Sequence, residues 1–144
     1  NSDLNSSSIG IEIDNNGYET FTDQQISSLL TVLQRLKAAY NIPSPNFIGH
    51  ADVAPGRKVD PNRTFPWQLL ASQGYGLWYD TSAVEIPPDF DALHALRIIG
   101  YDTRKPEAAI GSFKIHFYPS DSSAIISETE KKILLSLQQK TLGN

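Results

Sequence analysis

Two residue types that bind metals and transfer protons stand ten positions apart in the segment Phe47–Trp67. His50 follows a short apolar stretch, and Asp60 lies in a loop stiffened by Pro55 and Pro61. Imidazole nitrogen and carboxylate oxygen are both common ligands of zinc. If the loop folds back, both side chains can reach one metal ion. A single histidine at the end of a strand is, however, more often structural or incidental than a ligand.

Other chemically capable side chains are needed, because a catalytic zinc site normally has three protein ligands and a position for water. His94 and His116 lie beside apolar helical stripes, where a helix-surface or core-edge role is the simpler interpretation. Glu12 lies in an otherwise apolar segment and is either a solvated carboxylate or a general base. Lys58 is either a loop charge or a donor that stabilises an oxyanion near a metal.

The N-terminal half is predicted to form a strand–helix–strand unit that carries these residues. Ile9–Ile13 alternates apolar and polar side chains, as a half-buried strand does. Thr22–Tyr40 has apolar side chains at helical spacing behind a capping box. Phe47–Gly49 is the second short strand, and a helix joining two strands favours parallel pairing. We therefore expect an α/β mixed sheet with flanking helices, in which His50 ends one strand and Glu12 lies in its neighbour.

The C-terminal part changes to an all-α pattern near residue 86. Leu77–Pro88 is predicted to be a linker or an extended segment, since Pro87 and Pro88 resist helix formation. We place a domain boundary there, with 1–85 as the α/β part including the linker and 86–144 as a small three-helix domain. The predicted helices are a short one at Pro66–Ser72, before the boundary, and Asp89–Ile99, Pro106–Phe117 and Ser127–Leu142 after it.

Composition and charge limit the class of protein. The 144 residues suffice for one domain or for a small domain with an appendage. A net charge of −4 argues against a protein that binds nucleic acid through its phosphates. The absence of cysteine excludes disulfides and thiolate ligands. Because the chain has no methionine and opens on Asn1, we expect it to be processed or to be a piece of a longer protein.

The two segments that hold the candidate residues also resemble a known family. Ser8–Ile13, followed by Asn16-Gly17, and Ile48–Pro61, followed by Phe65-Pro66-Trp67, resemble the bacterial zinc N-acetylmuramoyl-L-alanine amidases of the amidase-2 group. That group shares its fold with peptidoglycan recognition proteins. The resemblance is strongest to the AmiD-type subgroup, in which a small helical, peptidoglycan-binding-like domain follows the catalytic domain.

The resemblance implies a role for each candidate residue. His50 and Asp60 match two of the family's three zinc ligands, so the implied cofactor is Zn²⁺. Glu12 matches the catalytic glutamate, and Lys58 matches the lysine near the metal. The implied reaction is hydrolysis of the amide between N-acetylmuramic acid and L-alanine in peptidoglycan or muropeptides.

The resemblance also suggests partners and a location. Peptidoglycan or muropeptides are the expected partners, and no nucleic acid is expected. Asn15, Asn16 and Arg57 are candidate substrate contacts. The implied location is the periplasm, with outer-membrane anchoring through an upstream segment as one option.

The family's remaining ligand, a histidine at the end of an earlier strand, has no counterpart in this sequence. We therefore expect that histidine on an N-terminal fragment of the same protein, present as a second chain. The alternative is a non-catalytic peptidoglycan-binding module, or a fragment that has lost activity. Retention of Glu12, His50, Lys58 and Asp60 together favours the enzyme, whereas loss of the third ligand favours the alternative.

Overall fold

Helices are the regular secondary structure in the part of the chain that a computed structural model describes, residues 4–143 without the side chain of Asn5. Connections without helix join the elements, and the longest of them within the described residues are 8–22, 54–66 and 73–91. In chain order the helices of this part are α1 (Leu4–Ser7), α2 (Asp23–Tyr40), a 3-10 turn (Ser44–Asn46), α3 (His50–Val53), α4 (Trp67–Ser72), α5 (Ala92–Ile98), α6 (Pro106–Phe117) and α7 (Glu128–Leu142).

The predicted α/β mixed sheet is wrong, because no strand forms between residues 4 and 143. The segment Ile9–Ile13 is irregular, and the side chains of Ile9 and Ile11 remain 52% and 40% exposed. Phe47–Gly49 is an irregular lead-in to α3, so His50 begins a helix and does not end a strand. A strand is held by hydrogen bonds to a neighbouring strand, and alternating side chains alone do not provide one.

Helix α2 confirms the prediction for this part of the chain. The hydroxyl of Thr22 accepts a hydrogen bond from the backbone N–H of Gln25 (3.2 Å), and the Gln25 side chain accepts one from the N–H of Thr22 (2.9 Å). These reciprocal bonds satisfy two donors at the start of the helix. The helix ends at Asn41, whose backbone is left-handed with φ 51°.

The C-terminal helices also follow their predicted positions closely. Helix α6 has the predicted bounds, and α7 begins one residue late because Ser127 is its cap. Helix α5 begins at Ala92 and not at Asp89, because the carboxylate of Asp91 accepts hydrogen bonds from two N–H groups of its first turn. No helix among the described residues is both long enough and apolar enough to cross a bilayer.

Two apolar cores lie in succession along the chain, and Trp78 packs against both. This tryptophan belongs to the stretch between the cores, so the N-terminal half and the helical tail (α5–α7) are in contact. The boundary near residue 86 remains a prediction. The first core contains Ile26, Leu29, Leu33, Phe65, Trp67, Leu70 and Tyr75, and the second contains Ala95, Leu96, Tyr101, Ala109, Ile110, Phe113, Phe117, Ile133, Leu134 and Leu137.

Candidate active site

His50 and Asp60 meet at the surface of the N-terminal half. Nδ1 of His50 lies 3.0 Å from Oδ2 of Asp60, and the two side chains are 49% and 61% exposed. The backbone brings them together, because the N–H of Ala51 donates a hydrogen bond to the carbonyl of Asp60 (2.8 Å). The loop therefore folds back onto the start of α3, which is the condition that the sequence analysis set for both side chains to reach one metal ion. The role of the pair as metal ligands remains a prediction.

The chemistry and spacing of this pair fit a zinc ion. With zinc–nitrogen and zinc–oxygen distances near 2.0–2.2 Å, two donors on one tetrahedral ion lie about 3.3–3.5 Å apart. The observed 3.0 Å separation of Nδ1 of His50 and Oδ2 of Asp60 is within a few tenths of an ångström of that distance. Within residues 4–143, however, no group of three or more metal-binding side chains is assembled. The described residues thus offer two ligands.

Glu12 and Lys58 are not bonded to this pair through their side chains. Both side chains are exposed, and neither makes a hydrogen bond or ion pair within the described part of the chain. The backbone N–H groups of Arg57 and Lys58 donate to the carbonyl of Ala54 (3.0 and 3.1 Å), which fixes the loop that carries them. The structure therefore leaves both charged side chains free to turn toward a ligand, and no hydrogen bond joins the Glu12 side chain to His50 or Asp60.

Asn15 and Asn16, the candidate substrate contacts, are engaged in internal hydrogen bonds. Oδ1 of Asn15 accepts from the N–H of Gly17 (2.8 Å) and from the amide of Asn62 (2.9 Å). Oδ1 of Asn16 accepts from two backbone N–H groups of the same turn (2.9 and 3.0 Å). The bond to Asn62 ties this turn to the loop just after Asp60. Both asparagines therefore have a structural function, whereas Arg57 is exposed.

Asp52 is a central residue that the sequence analysis missed. It lies in α3, two residues after His50, and its carboxylate receives three donors from separate parts of the chain. Oδ1 accepts from the hydroxyl of Tyr101 (2.6 Å), and Oδ2 accepts from the N–H of Gly49 (2.7 Å) and from Nδ1 of His116 (2.8 Å). Burial raises the pKa of Tyr101 well above its usual value, and the nearby charge of Asp52 adds to this, so the phenol remains a donor.

His116 is buried, in contrast to the predicted helix-surface or core-edge position. Only 4% of the residue is exposed, and its ring is stacked between Trp67 (4.0 Å between centroids) and Phe117 (3.9 Å). Since the carboxylate of Asp52 is an acceptor, Nδ1 carries the hydrogen. The other ring nitrogen, Nε2, is buried and has no hydrogen-bond partner among the described residues. No local sequence signal marks this role, because Asp52 and Trp67 come from distant segments of the chain.

Arg63 is the second missed residue. Its guanidinium Nη1 donates to the carbonyls of Pro119 (3.2 Å) and Asp121 (2.8 Å) in the loop after α6. Arg63 lies three residues after Asp60, so the loop carrying the carboxylate is bonded directly to the helical tail.

A cleft of about 350 Å³ opens where the two cores meet. Aromatic side chains dominate its walls, and none of the four predicted ligand or catalytic residues lines it. Its aromatic lining consists of Phe65, Trp67, Trp78, Tyr79, His116, Phe117 and Tyr118. The cleft is therefore separate from the His50–Asp60 pair.

Comparison with known proteins gives a consistent result. The profile of the amidase-2 family, described as N-acetylmuramoyl-L-alanine amidase, matches residues 1–63. The chain is 36% identical over 142 residues to the N-acetylmuramoyl-L-alanine amidase AmiD of Escherichia coli, covering 81% of this chain and 51% of AmiD. It is also 41% identical over 63 residues to the 1,6-anhydro-N-acetylmuramyl-L-alanine amidase AmpD of Enterobacter cloacae, covering 44% of this chain and 34% of AmpD.

Solved structures agree with these sequence matches. A complex of E. coli AmiD with the substrate anhydro-N-acetylmuramic acid-L-Ala-D-γ-Glu-L-Lys has a TM-score of 0.78 at 30% identity, covering 92% of this chain and 61% of that one. AmpDh3 from Pseudomonas aeruginosa has a TM-score of 0.74 at 29% identity, covering 85% of this chain and 55% of AmpDh3. The chain thus spans about half the length of AmiD. Residues 1–63 match the amidase-2 family, and the similarity to AmiD extends from the segment that carries His50 and Asp60 into the helical tail.

Proposed function

We propose that this chain carries part of the active site of a zinc-dependent N-acetylmuramoyl-L-alanine amidase. The reaction is hydrolysis of the amide between N-acetylmuramic acid and L-alanine, in peptidoglycan or in muropeptides. The observation that carries the proposal is the exposed His50–Asp60 contact inside the region similar to AmiD. AmiD itself was solved with an anhydromuramyl tripeptide, which supports the same class of substrate here. A periplasmic location is part of the proposal.

The residues of this chain have distinct tasks in that reaction. His50 and Asp60 would hold zinc, which when bound polarises the amide carbonyl and lowers the pKa of water. Glu12 removes a proton from the attacking water and delivers it to the leaving amine of L-alanine. Lys58 donates a hydrogen bond to the oxyanion that develops on the carbonyl oxygen. Water and amide are thereby converted into a muramic carboxylic acid and a free peptide amine.

The third protein ligand belongs to the proposal as well. Since the described residues supply two ligands, we assign the third to a histidine on an N-terminal segment of the same protein, either joined to this chain or present as a second chain. Intact mass spectrometry of an active sample tests this assignment. A sample that contains only this 144-residue species, with one zinc per chain and full turnover, would contradict it.

The central experiment measures zinc content and turnover in the same preparation. Anhydromuramyl tripeptide is incubated with the protein, and release of the free tripeptide is followed by mass spectrometry. The Glu12→Gln variant should retain zinc and lose turnover, because it lacks the proton-accepting carboxylate. The His50→Ala variant should lose both. Full turnover in Glu12→Gln would remove Glu12 from the mechanism.

A non-catalytic peptidoglycan-binding module is the second candidate function. The presence of only two metal-binding side chains at the site within residues 4–143 favours it. Binding to the muropeptide without release of peptide, in the presence of zinc and of the N-terminal segment, would support this candidate over the enzyme.

A further inference from the structure

The helix that carries His50 is too short to be stable without contacts to other parts of the fold. Helix α3 has four residues, His50–Val53, and so short a helix is not stable by itself in water. Its position depends on contacts with the rest of the fold. The most buried of its polar contacts are those of Asp52 with Tyr101 and His116, and both partners lie in the helical tail.

The loop that carries Asp60 has a matching attachment. Arg63 donates to the carbonyls of Pro119 and Asp121, and these lie in the loop that follows α6. Two backbone acceptors on one guanidinium fix both its position and its direction. The two proposed ligands are thus each tied to the tail by a neighbour in sequence.

The loop between these two attachments also packs against the tail. A Cβ atom placed on Gly56 would lie 2.9 Å from Cβ of Ala108 in α6, so the backbone of the loop that carries Lys58 runs directly along that helix. Gly56 also has a φ of 73°, which favours glycine.

We propose that the helical tail is a positioning element for the zinc site, in addition to any contact it makes with the cell wall. Asp52, held by Tyr101 and His116, sets the position of His50, and Arg63 sets the position of Asp60. These four are positioning residues and do not touch the reacting atoms. The proposal rests on the proposed function, because it concerns the same metal site.

The test compares variants that break the attachment with one that merely weakens the tail. The double variant Tyr101→Phe/His116→Leu removes both tail donors to Asp52, and Arg63→Gln removes the second attachment. Leu137→Ala weakens the tail core without touching either attachment. Arg104→Gln is a control for charge, because the partner of Arg104 among residues 4–143 is Asp102, at the tail surface. Each protein is assayed for melting temperature, zinc dissociation constant, kcat and KM, and the metal-free forms for the ¹⁵N signals of the His50 ring.

The expected result is a selective loss at the metal site. Removing groups that orient metal ligands typically costs 10–100-fold in affinity or activity, so we expect the double variant and Arg63→Gln to weaken zinc binding and lower kcat by roughly that factor. KM should change little, and the His50 signals should shift in the metal-free double variant. His116→Asn keeps an N–H donor toward Asp52, so its loss of zinc affinity and of kcat should be much smaller than that of the double variant. Leu137→Ala should lower the melting temperature while leaving zinc affinity unchanged.

Two outcomes would overturn the proposal, and they are distinguishable. The tail does not position the site if Leu137→Ala loses as much zinc affinity as the double variant at an equal drop in melting temperature. The same conclusion follows if both the double variant and Leu137→Ala keep their full zinc affinity. If the unmodified protein, assayed with its N-terminal segment, neither binds zinc nor releases peptide, the proposed function itself fails.

Discussion

Nδ1 of His116 lies 2.8 Å from Oδ2 of Asp52, a residue 64 positions earlier in the chain. Both side chains are almost completely buried, at 5% and 11% exposure. The contact joins α6 of the tail to α3, the short helix that His50 begins. A residue of the tail thus contacts the helix that carries one of the proposed zinc ligands.

Gly49, just before His50, should not tolerate a side chain. A Cβ atom there would lie 3.0 Å from Cδ of Pro61, 3.1 Å from Oδ2 of Asp52 and 3.1 Å from Cζ2 of Trp67. We expect Gly49→Ala to lower the free energy of unfolding by about 1–3 kcal/mol, as overpacking does. Denaturant unfolding followed by far-UV circular dichroism measures this.

Gly10→Ala is the matched control for that variant. A Cβ atom on Gly10 has no neighbour within 4 Å, so its effect should stay within about 0.5 kcal/mol. Equal stability of the two alanine variants would show that the close approach at Gly49 is unimportant.

The helices could be predicted from local sequence because their signals are local. The capping side chains Thr22 and Ser127 each lie three residues before a glutamine or glutamate that completes the box, and both helices begin where these pairs indicate. The prediction of a strand at Ile9–Ile13 was wrong. A strand needs a neighbouring strand to bond with, and an alternating pattern does not reveal whether that neighbour exists. Local patterns therefore identified the helices, but not the absence of the sheet.

The candidate site was predictable to a similar degree. The ten-residue spacing of His50 and Asp60 and the nearby prolines allowed a contact if the loop folds back, and the structure shows this contact. The support of that contact was not predictable, since Asp52 and its partner His116 are 64 residues apart. Burial of His116 is a property of the packed helices, and its neighbours in sequence do not reveal it.

Lys58 should be important for turnover and unimportant for stability. Its side chain is exposed and makes no hydrogen bond or ion pair within the described residues, so Lys58→Met should leave the melting temperature unchanged. Loss of a donor to a developing oxyanion typically costs about 10²–10³-fold in kcat. We expect a loss of that order in the muropeptide assay, with zinc content unchanged. Lys105→Met removes an exposed lysine of the tail and should leave kcat unchanged. A normal kcat in Lys58→Met would exclude the oxyanion role.

Lys114 should be important for stability. Its side chain is fully buried, and Nζ lies 2.5 Å from Oδ2 of Asp121 and 2.8 Å from Oε1 of Glu130, which is itself fully buried. Burial tends to lower the pKa of Lys114, but the bonds to these two carboxylates outweigh it and raise the pKa, so the amine stays charged. Lys114→Met leaves a buried carboxylate unpaired and should cost about 3–5 kcal/mol in the free energy of unfolding.

Lys131→Met provides the comparison for the buried amine. Lys131 pairs with Glu128 on the surface of α7, and an exposed pair of this kind contributes about 0–1 kcal/mol. Thermal and denaturant unfolding of both variants measure the difference. A Lys114→Met variant as stable as Lys131→Met would contradict the assigned role of the buried cluster.

Asp121 should make the tail sensitive to acid. Its hydrogen bond from Lys114, together with those from the backbone and hydroxyl of Ser123, holds the pKa of Asp121 well below its ordinary value of 3.8. Because the pKa is lower in the folded state than in the unfolded state, the ionised carboxylate stabilises the fold fully above about pH 4. That contribution is lost as the pH falls from there toward the folded-state pKa. The free energy of unfolding should therefore decline between about pH 4 and pH 2, and less steeply in Asp121→Asn than in the unmodified protein.

Asp89→Asn is the control for this prediction. Asp89 is exposed and has no hydrogen bond or ion pair among the described residues, so the variant should follow the curve of the unmodified protein. Parallel curves for Asp121→Asn and the unmodified protein would show that the carboxylate does not contribute to acid sensitivity.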